Sequence, residues 1–227
     1  MKKFLVIGNP IEHSLSPLLH NYWIKNNSIN AIYEKQKIDQ NQLENLLSQI
    51  KNKKINGINV TVPFKKTIIP YLDKLSIEAE NTQSVNTIYL KDNKLTGCNT
   101  DIVGFESSIN KSNYSLRGKE IFILGAGGVV PSIIFGLINM KVSKIKITNR
   151  TKEKAENLKR LFKNIEIIEW GEIPNFDMII NATSIGLKKE DEINLDFSSI
   201  SKGKFFYDVI YNPKETNFLK TGRNLGG

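Results

Sequence analysis

The sequence has a single cysteine, Cys98. No disulfide can form within the chain, which excludes the stapled scaffolds of small secreted domains and fits a reducing compartment. No apolar run approaches the ~20 residues that a membrane-spanning helix needs. Met1-Lys2-Lys3 leads into only Phe4-Leu5-Val6-Ile7-Gly8, shorter than the apolar segment of a signal peptide. A soluble, cytoplasmic protein with no membrane partner is expected. Internal repeats and low-complexity stretches are absent. Charge of one sign prevails only mildly, 32 Lys and Arg against 23 Asp and Glu, for a net +9. The densest basic run, Lys51-Asn52-Lys53-Lys54, is short and has no interleaved aromatics. A nucleic-acid face is therefore not expected, whereas a mild positive field suits small anions such as a dinucleotide or a carboxylate. Histidine is scarce: His13 lies in a loop with at most a supporting role, and His20 reads as a helix-surface residue. No metal site is expected.

What is present is enough apolar material for real cores. The chain has 227 residues, 40% of them hydrophobic, which implies one large domain or two smaller ones. Phe4–Ile7 reads as a strand ending at Gly8, and Ser16-Pro17 as an N-cap followed by proline at the first helical position. Asp39 reads as the cap of a helix whose Leu43, Leu46, Leu47 and Ile50 recur with a period near 3.6. Residues 55–62 read as a strand, and 85–90 and 95–98 as two strands around a turn at Lys91-Asp92-Asn93-Lys94. A connecting helix follows at 101–110. A second series comes after it: strands at 120–124, 144–148, 165–168, 178–181 and 205–209, with helices at 131–140 and 151–162. Strand alternating with helix predicts an α/β protein with mostly parallel sheets. The boundary between the two series is expected between 101 and 118, giving domains at 1–100 and 101–227.

Gly125-Ala126-Gly127-Gly128-Val129-Val130 directly follows the apolar strand Ile121-Phe122-Ile123-Leu124 and precedes an apolar helix. That is the context a dinucleotide loop requires. Gly125 permits the tight turn, Gly127 lets the backbone approach a pyrophosphate, and the helix N-terminus supplies N–H groups. Val130 stands where the ideal fingerprint has its third glycine. After the next strand comes Asn149-Arg150-Thr151, with Lys152 and Lys154 close by. An acidic residue here would hold a ribose 2′-hydroxyl. A guanidinium instead forks onto a 2′-phosphate, so the pattern points to NADP rather than NAD.

The first half concentrates small polar residues at strand ends. Ser14 and Ser16 follow the first strand. Asn59, Thr61 and Lys65 follow the third, with Asn59 and Thr61 two apart and so on one face. Asn86 and Asp101 complete the set. Many donors and acceptors with one cation suit a polyol acid. Hydride addition to a ketone leaves an alkoxide that needs a proton donor, and Lys65 is the natural candidate, oriented by Asp101. Asp101 also reads as the cap of the helix that begins at Ile102.

These stretches, with Asn181-Ala182-Thr183-Ser184-Ile185-Gly186, Tyr207-Asp208-Val209-Ile210-Tyr211-Asn212-Pro213 and Thr216-Asn217-Phe218-Leu219, resemble the signatures of the shikimate dehydrogenase family over nearly the whole chain. The resemblance implies an N-terminal α/β substrate domain, a Rossmann-like NADP-binding domain and a cleft between them. It implies reversible NADP-dependent reduction of 3-dehydroshikimate to shikimate, on the route to chorismate and the aromatic amino acids, by a monomer or homodimer. Ser14, Ser16, Asn59, Thr61, Lys65, Asn86, Asp101 and Tyr211 match substrate positions, with Lys65 and Asp101 the catalytic pair. Gly125, Ala126, Gly127, Gly128, Val129, Asn149, Arg150, Thr151, Lys154, Thr183 and Val209 match positions around NADP. The family continues beyond the point matched by Gly227, with a substrate-binding glutamine and helices that return to the first domain. Nothing here matches that glutamine, so the chain as it stands is expected to leave part of its first sheet uncovered, to be marginally stable and to turn over poorly. The competing readings are a quinate/shikimate relative with altered substrate or cofactor, and a non-catalytic dinucleotide-binding module. Arg150 opposes use of NAD, and the intact Lys65 and Asp101 oppose a mere sensor.

Overall fold

The structure is a computed structural model describing residues 1–226. It divides into two compact units, Met1–Gly104 and Phe105–Gly227, each an α/β layer built on its own sheet.

The first unit begins with β1 (Lys2–Gly8), α1 (Ser16–Asn26) and β2 (Ala31–Lys37). A 3-10 turn at Gln40–Gln42 then runs into α2 (Leu43–Lys51). Next come β3 (Gly57–Val60), α3 (Phe64–Thr67), β4 (Lys74–Leu75), α4 (Ile77–Thr82), β5 (Thr87–Lys91) and β6 (Lys94–Cys98). The six strands lie in the order β2-β1-β3-β5-β6-β4. Only β5 runs against its neighbours: β1 is parallel to β2 and β3, β4 is parallel to β6, and β5 is antiparallel to β3 and β6. The hairpin between β5 and β6 turns at Asp92 and Asn93, both at positive φ, a conformation that Asp and Asn tolerate better than most residues. Leu43, Leu46, Leu47 and Ile50 of α2 join Leu5, Ile7, Ile58, Val60 and Ile88 of the sheet in one core.

Three local expectations needed correction. Ser16 is the first residue of α1 rather than its cap, the cap position falls to Leu15, and Ser14 Oγ instead accepts from the Ser16 N–H. Asp39 caps the 3-10 turn, not α2 itself, through a reciprocal box with Gln42. The third strand ends at Val60 instead of residue 62, because the chain turns at once so that the Phe64 N–H bonds the Thr61 carbonyl. Helix α1 contributes no fully buried residue. Its Leu18 is 74% exposed, and Leu19, Tyr22 and Trp23 are also open.

Helix α5 (Asp101–Lys111) carries the boundary and opens the second unit. There β7 (Glu120–Leu124), α6 (Val130–Asn139), β8 (Lys144–Thr148), α7 (Lys152–Leu161), β9 (Ile165–Ile167), β10 (Met178–Asn181), β11 (Phe205–Asp208) and α8 (Asn217–Asn224) follow in turn. The five strands are all parallel, in the order β11-β10-β7-β8-β9. Parallel strands covered on both faces read as continuous apolar runs, and Ile121 to Leu124 and Met178 to Ile180 are fully buried. The chain reverses its direction of travel across the sheet at β7, so the glycine-rich turn lies at the carboxyl end of the strand where ligands of such sheets bind.

Helix α8 was not predicted from sequence. It is capped by Thr216 Oγ1, which accepts from the Leu219 N–H, and it packs through Phe218 and the buried Gly222 against Phe206. A Cβ at Gly222 would sit 2.7 Å from Phe206 Cβ. Helix propensity alone would make Gly222→Ala stabilising by about 1 kcal/mol, but overpacking against a side chain near its backbone costs about 1–3 kcal/mol. Gly222→Ala is thus expected to lower the urea or thermal unfolding midpoint. A raised midpoint would show that α8 is free to shift on β11.

Candidate active site

In the first unit, α3 presents Lys65 and the start of α5 presents Asp101. The ammonium donates to Asp101 Oδ2 at 2.6 Å, with side chains only 13% and 24% exposed. The other carboxylate oxygen accepts from Asn86 Nδ2 at 2.7 Å. The expected capping role of Asp101 gives way to this contact: its side chain faces Lys65 and Asn86, while its backbone N–H bonds Asn99 Oδ1. Asn86 is held in one orientation. Its Oδ1 accepts from the Thr100 N–H, which can only donate, and its Nδ2 faces a carboxylate, which can only accept.

Asn59 joins the same network. Its Nδ2 donates to the Asn86 carbonyl and to Thr87 Oγ1, and Thr87 Oγ1 donates to Asn86 Oδ1. Thr61, just past β3, packs its methyl group on Gly8: a Cβ at Gly8 would lie 2.6 Å from Thr61 Cγ2. Only glycine lets the two strand ends approach so closely. At the start of α1, the Ser16 N–H donates to Ser14 Oγ. The sequence-derived substrate residues therefore form one bonded group of Lys65, Asp101, Asn86 and Asn59, with Thr61 just past β3 and the two serines at the start of α1. Tyr211 belongs to the second unit and is 68% exposed. Thr87, Thr100 and Tyr33, whose hydroxyl donates to Asn59 Oδ1, were not read from sequence as parts of this network. His20 is more than a helix-surface residue: its ring stacks on Tyr33 at 4.1 Å, and burial lowers its pKa.

In the second unit, Gly125 has φ +106, and a Cβ there would lie 2.8 Å from the Ala182 carbonyl oxygen. Glycine is required on both grounds. Around Gly127 the nearest atom to such a Cβ is 3.8 Å away, which leaves the turn open. Helix α6 starts after Val129 with no side-chain cap, so no capping side chain stands at the positive end of its dipole. Asn149 fastens this turn to the end of β8, accepting from the Ala126 N–H at 3.0 Å and donating to the Thr151 carbonyl at 2.7 Å. Arg150 and Lys154 are exposed, and among the described residues neither forms an ion pair. Lys152 is taken up by Glu169.

Thr183 and Val209 are tied to one hub. Asn181 Oδ1 accepts from the Thr183 N–H and hydroxyl, its carbonyl accepts from the Val209 N–H, and its Nδ2 donates to Asp208. Asp208 also accepts from Thr216 Oγ1 and the Ile210 N–H. Burial pushes its carboxyl above the usual carboxylate range, against those donors. Asn181 and Asp208 lay inside motifs visible in the sequence, but their structural role follows only from the pairing of β10 with β11.

The family profile described as the shikimate dehydrogenase substrate binding domain matches residues 6–88, and the one described as shikimate / quinate 5-dehydrogenase matches residues 108–205. A shikimate dehydrogenase (NADP(+)) of Pelagibacter ubique is 62% identical over 226 residues, spanning all of this chain and 85% of that protein. The shikimate dehydrogenase (NADP(+)) of Caldicellulosiruptor saccharolyticus is 38% identical, again over all of this chain and 85% of the relative. The crystal structure of shikimate dehydrogenase from Aquifex aeolicus matches with a TM-score of 0.92 at 38% identity, covering 100% of this chain and 85% of its own. The Thermus thermophilus shikimate 5-dehydrogenase, solved with NADP(H) and shikimate, gives 0.90 at 27% identity with 100% and 85% covered. With both profiles matched in order and a relative this similar across the whole of this chain, the chain belongs to the shikimate dehydrogenase family.

Proposed function

We propose that the chain is an NADP-dependent shikimate dehydrogenase of the cytoplasm, interconverting 3-dehydroshikimate and shikimate in aromatic amino-acid biosynthesis. The observation that carries this reading is the 2.6 Å pair of Lys65 and Asp101, set among amides and hydroxyls suited to a small polyhydroxylated acid. On this reading residues 1–100, with Asp101 at the boundary, bind and transform the substrate, and the rest of 101–227 serves chiefly to hold NADP. Ser14, Ser16, Asn59, Thr61, Asn86 and Tyr211 serve the substrate's carboxylate and hydroxyls alongside the catalytic pair.

The second unit fits the dinucleotide. The turn at Gly125, Ala126, Gly127, Gly128 and Val129, with the uncapped start of α6, receives the pyrophosphate. Asn149, Arg150, Thr151 and Lys154 face the adenosine 2′-phosphate side, and Thr183 and Val209 line the remainder. Bound NADPH supplies the hydride that reduces the ketone. The Lys65 ammonium stabilises the negative charge developing on the ketone oxygen and delivers the proton there. Asp101 fixes the direction in which Lys65 points, and Asn86 holds the rear oxygen of Asp101.

Shikimate-dependent NADPH formation tests the reading. Lys65→Ala is expected to lower turnover by about 10²–10⁴-fold, with little change in the NADP KM. Unchanged turnover, or a chain that oxidises quinate with NAD but not shikimate with NADP, would overturn the assignment. Arg150→Ala is expected to raise the NADP KM roughly tenfold or more while barely altering that for NAD. Equal increases for both cofactors would show that Arg150 does not read the 2′-phosphate.

A further inference from the structure

Tyr33 lies on β2, 26 residues before Asn59, and is 4% exposed. Its hydroxyl donates to Asn59 Oδ1 at 2.6 Å. Its backbone is clamped by Asn21, which accepts from the Tyr33 N–H and donates to the Tyr33 carbonyl. The ring of His20 stacks flat on it, with 4° between planes. A buried tyrosine held on three sides, with its tip against a site residue, is more than core filling.

The direction of that hydrogen bond is fixed by chemistry. One face of the Asn59 carboxamide meets the Asn86 carbonyl, which can only accept, so Nδ2 must lie there. Oδ1 therefore faces Tyr33, and the phenol must donate. From Tyr33 onward every bond points the same way: Tyr33 to Asn59, Asn59 to Thr87, Thr87 to Asn86, Asn86 to Asp101. Chains aligned in this way polarise one another. Burial pushes the Tyr33 hydroxyl far above its ordinary range, in keeping with a phenol that donates.

We propose that Tyr33 is a positioning residue, whose buried hydroxyl locks the Asn59 carboxamide so that Asn59 meets the substrate only as an acceptor. Both Asn59 N–H groups are already used within the protein. The one remaining site is the second lone pair of Oδ1, and the ligand group it recognises is a hydroxyl that donates. This inference rests on the reading of Asn59 as a substrate residue.

Tyr33→Phe removes the hydroxyl and keeps the ring and its stack. It is expected to raise the shikimate KM about tenfold, the worth of roughly one hydrogen bond, with the NADP KM unchanged. In an Asn59→Ala background the same substitution is expected to have no further effect. In ¹⁵N-resolved spectra of the intact chain, the Asn59 side-chain amide protons are expected to exchange at least about tenfold faster in Tyr33→Phe than in the unsubstituted chain. An unchanged shikimate KM, an equal rise in the Asn59→Ala background, or unchanged amide exchange would each overturn the role. If the unsubstituted chain fails to oxidise shikimate at all, the functional reading falls, and the amide exchange alone then decides whether Tyr33 locks Asn59.

Discussion

The first unit is organised around one contact, the ion pair between Lys65 and Asp101. Two charges withdrawn this far from water lose much of their hydration. The pair is tolerable only because each finds the other at close range and Asn86 satisfies the remaining carboxylate oxygen. The residues are 36 apart in sequence. They meet because β3, β5 and β6 pair in register and the backbone is tied on both sides of Asn86: the Val85 N–H bonds the Lys65 carbonyl, and the Asn86 N–H bonds the Cys98 carbonyl. The strand running against its neighbours thus carries Asn86 at its entrance, between the segments that bear the two charges.

The second unit solves a related problem with neutral amides. Loops at the carboxyl ends of parallel strands have no ladder to hold them, yet a dinucleotide needs a preformed surface. Asn149 joins the glycine turn to the loop after β8. Asn181 joins the loops after β10 and β11, with the half-buried Asp208 extending that junction to the cap of α8. In both units a carboxamide with opposed partners on its oxygen and nitrogen can adopt one orientation only. Rigid recognition is obtained from side chains that carry no charge.

Local patterns were readable where a local rule decides the structure. The period of Leu43, Leu46, Leu47 and Ile50 announced α2, and the apolar run into Gly125 announced β7 and its turn, where the positive φ of Gly125 leaves little choice of residue. The turn at Asp92 and Asn93 was equally plain. Helix α8 was hidden because Thr221, Gly222 and Asn224 are poor helix formers, and it is sustained by the Thr216 cap and by packing on Phe206. Lys65, Asp101, Asn86 and Asn59 could be nominated from composition and motif, but their mutual bonding depends on strand register that no local pattern encodes. Tyr33 was invisible for the same reason. In its own segment it is one more aromatic strand residue, and its partner is reached only through the pairing of β1 with both β2 and β3.

If Lys65 and Asp101 act as one device, their effects on chemistry cannot be independent. A double-mutant cycle on shikimate turnover with Lys65→Ala, Asp101→Ala and the combined variant measures this directly. The combined variant should be no slower than the more damaged single variant, within about threefold. Losses that multiply would mean that the two side chains work separately and that their contact is only structural.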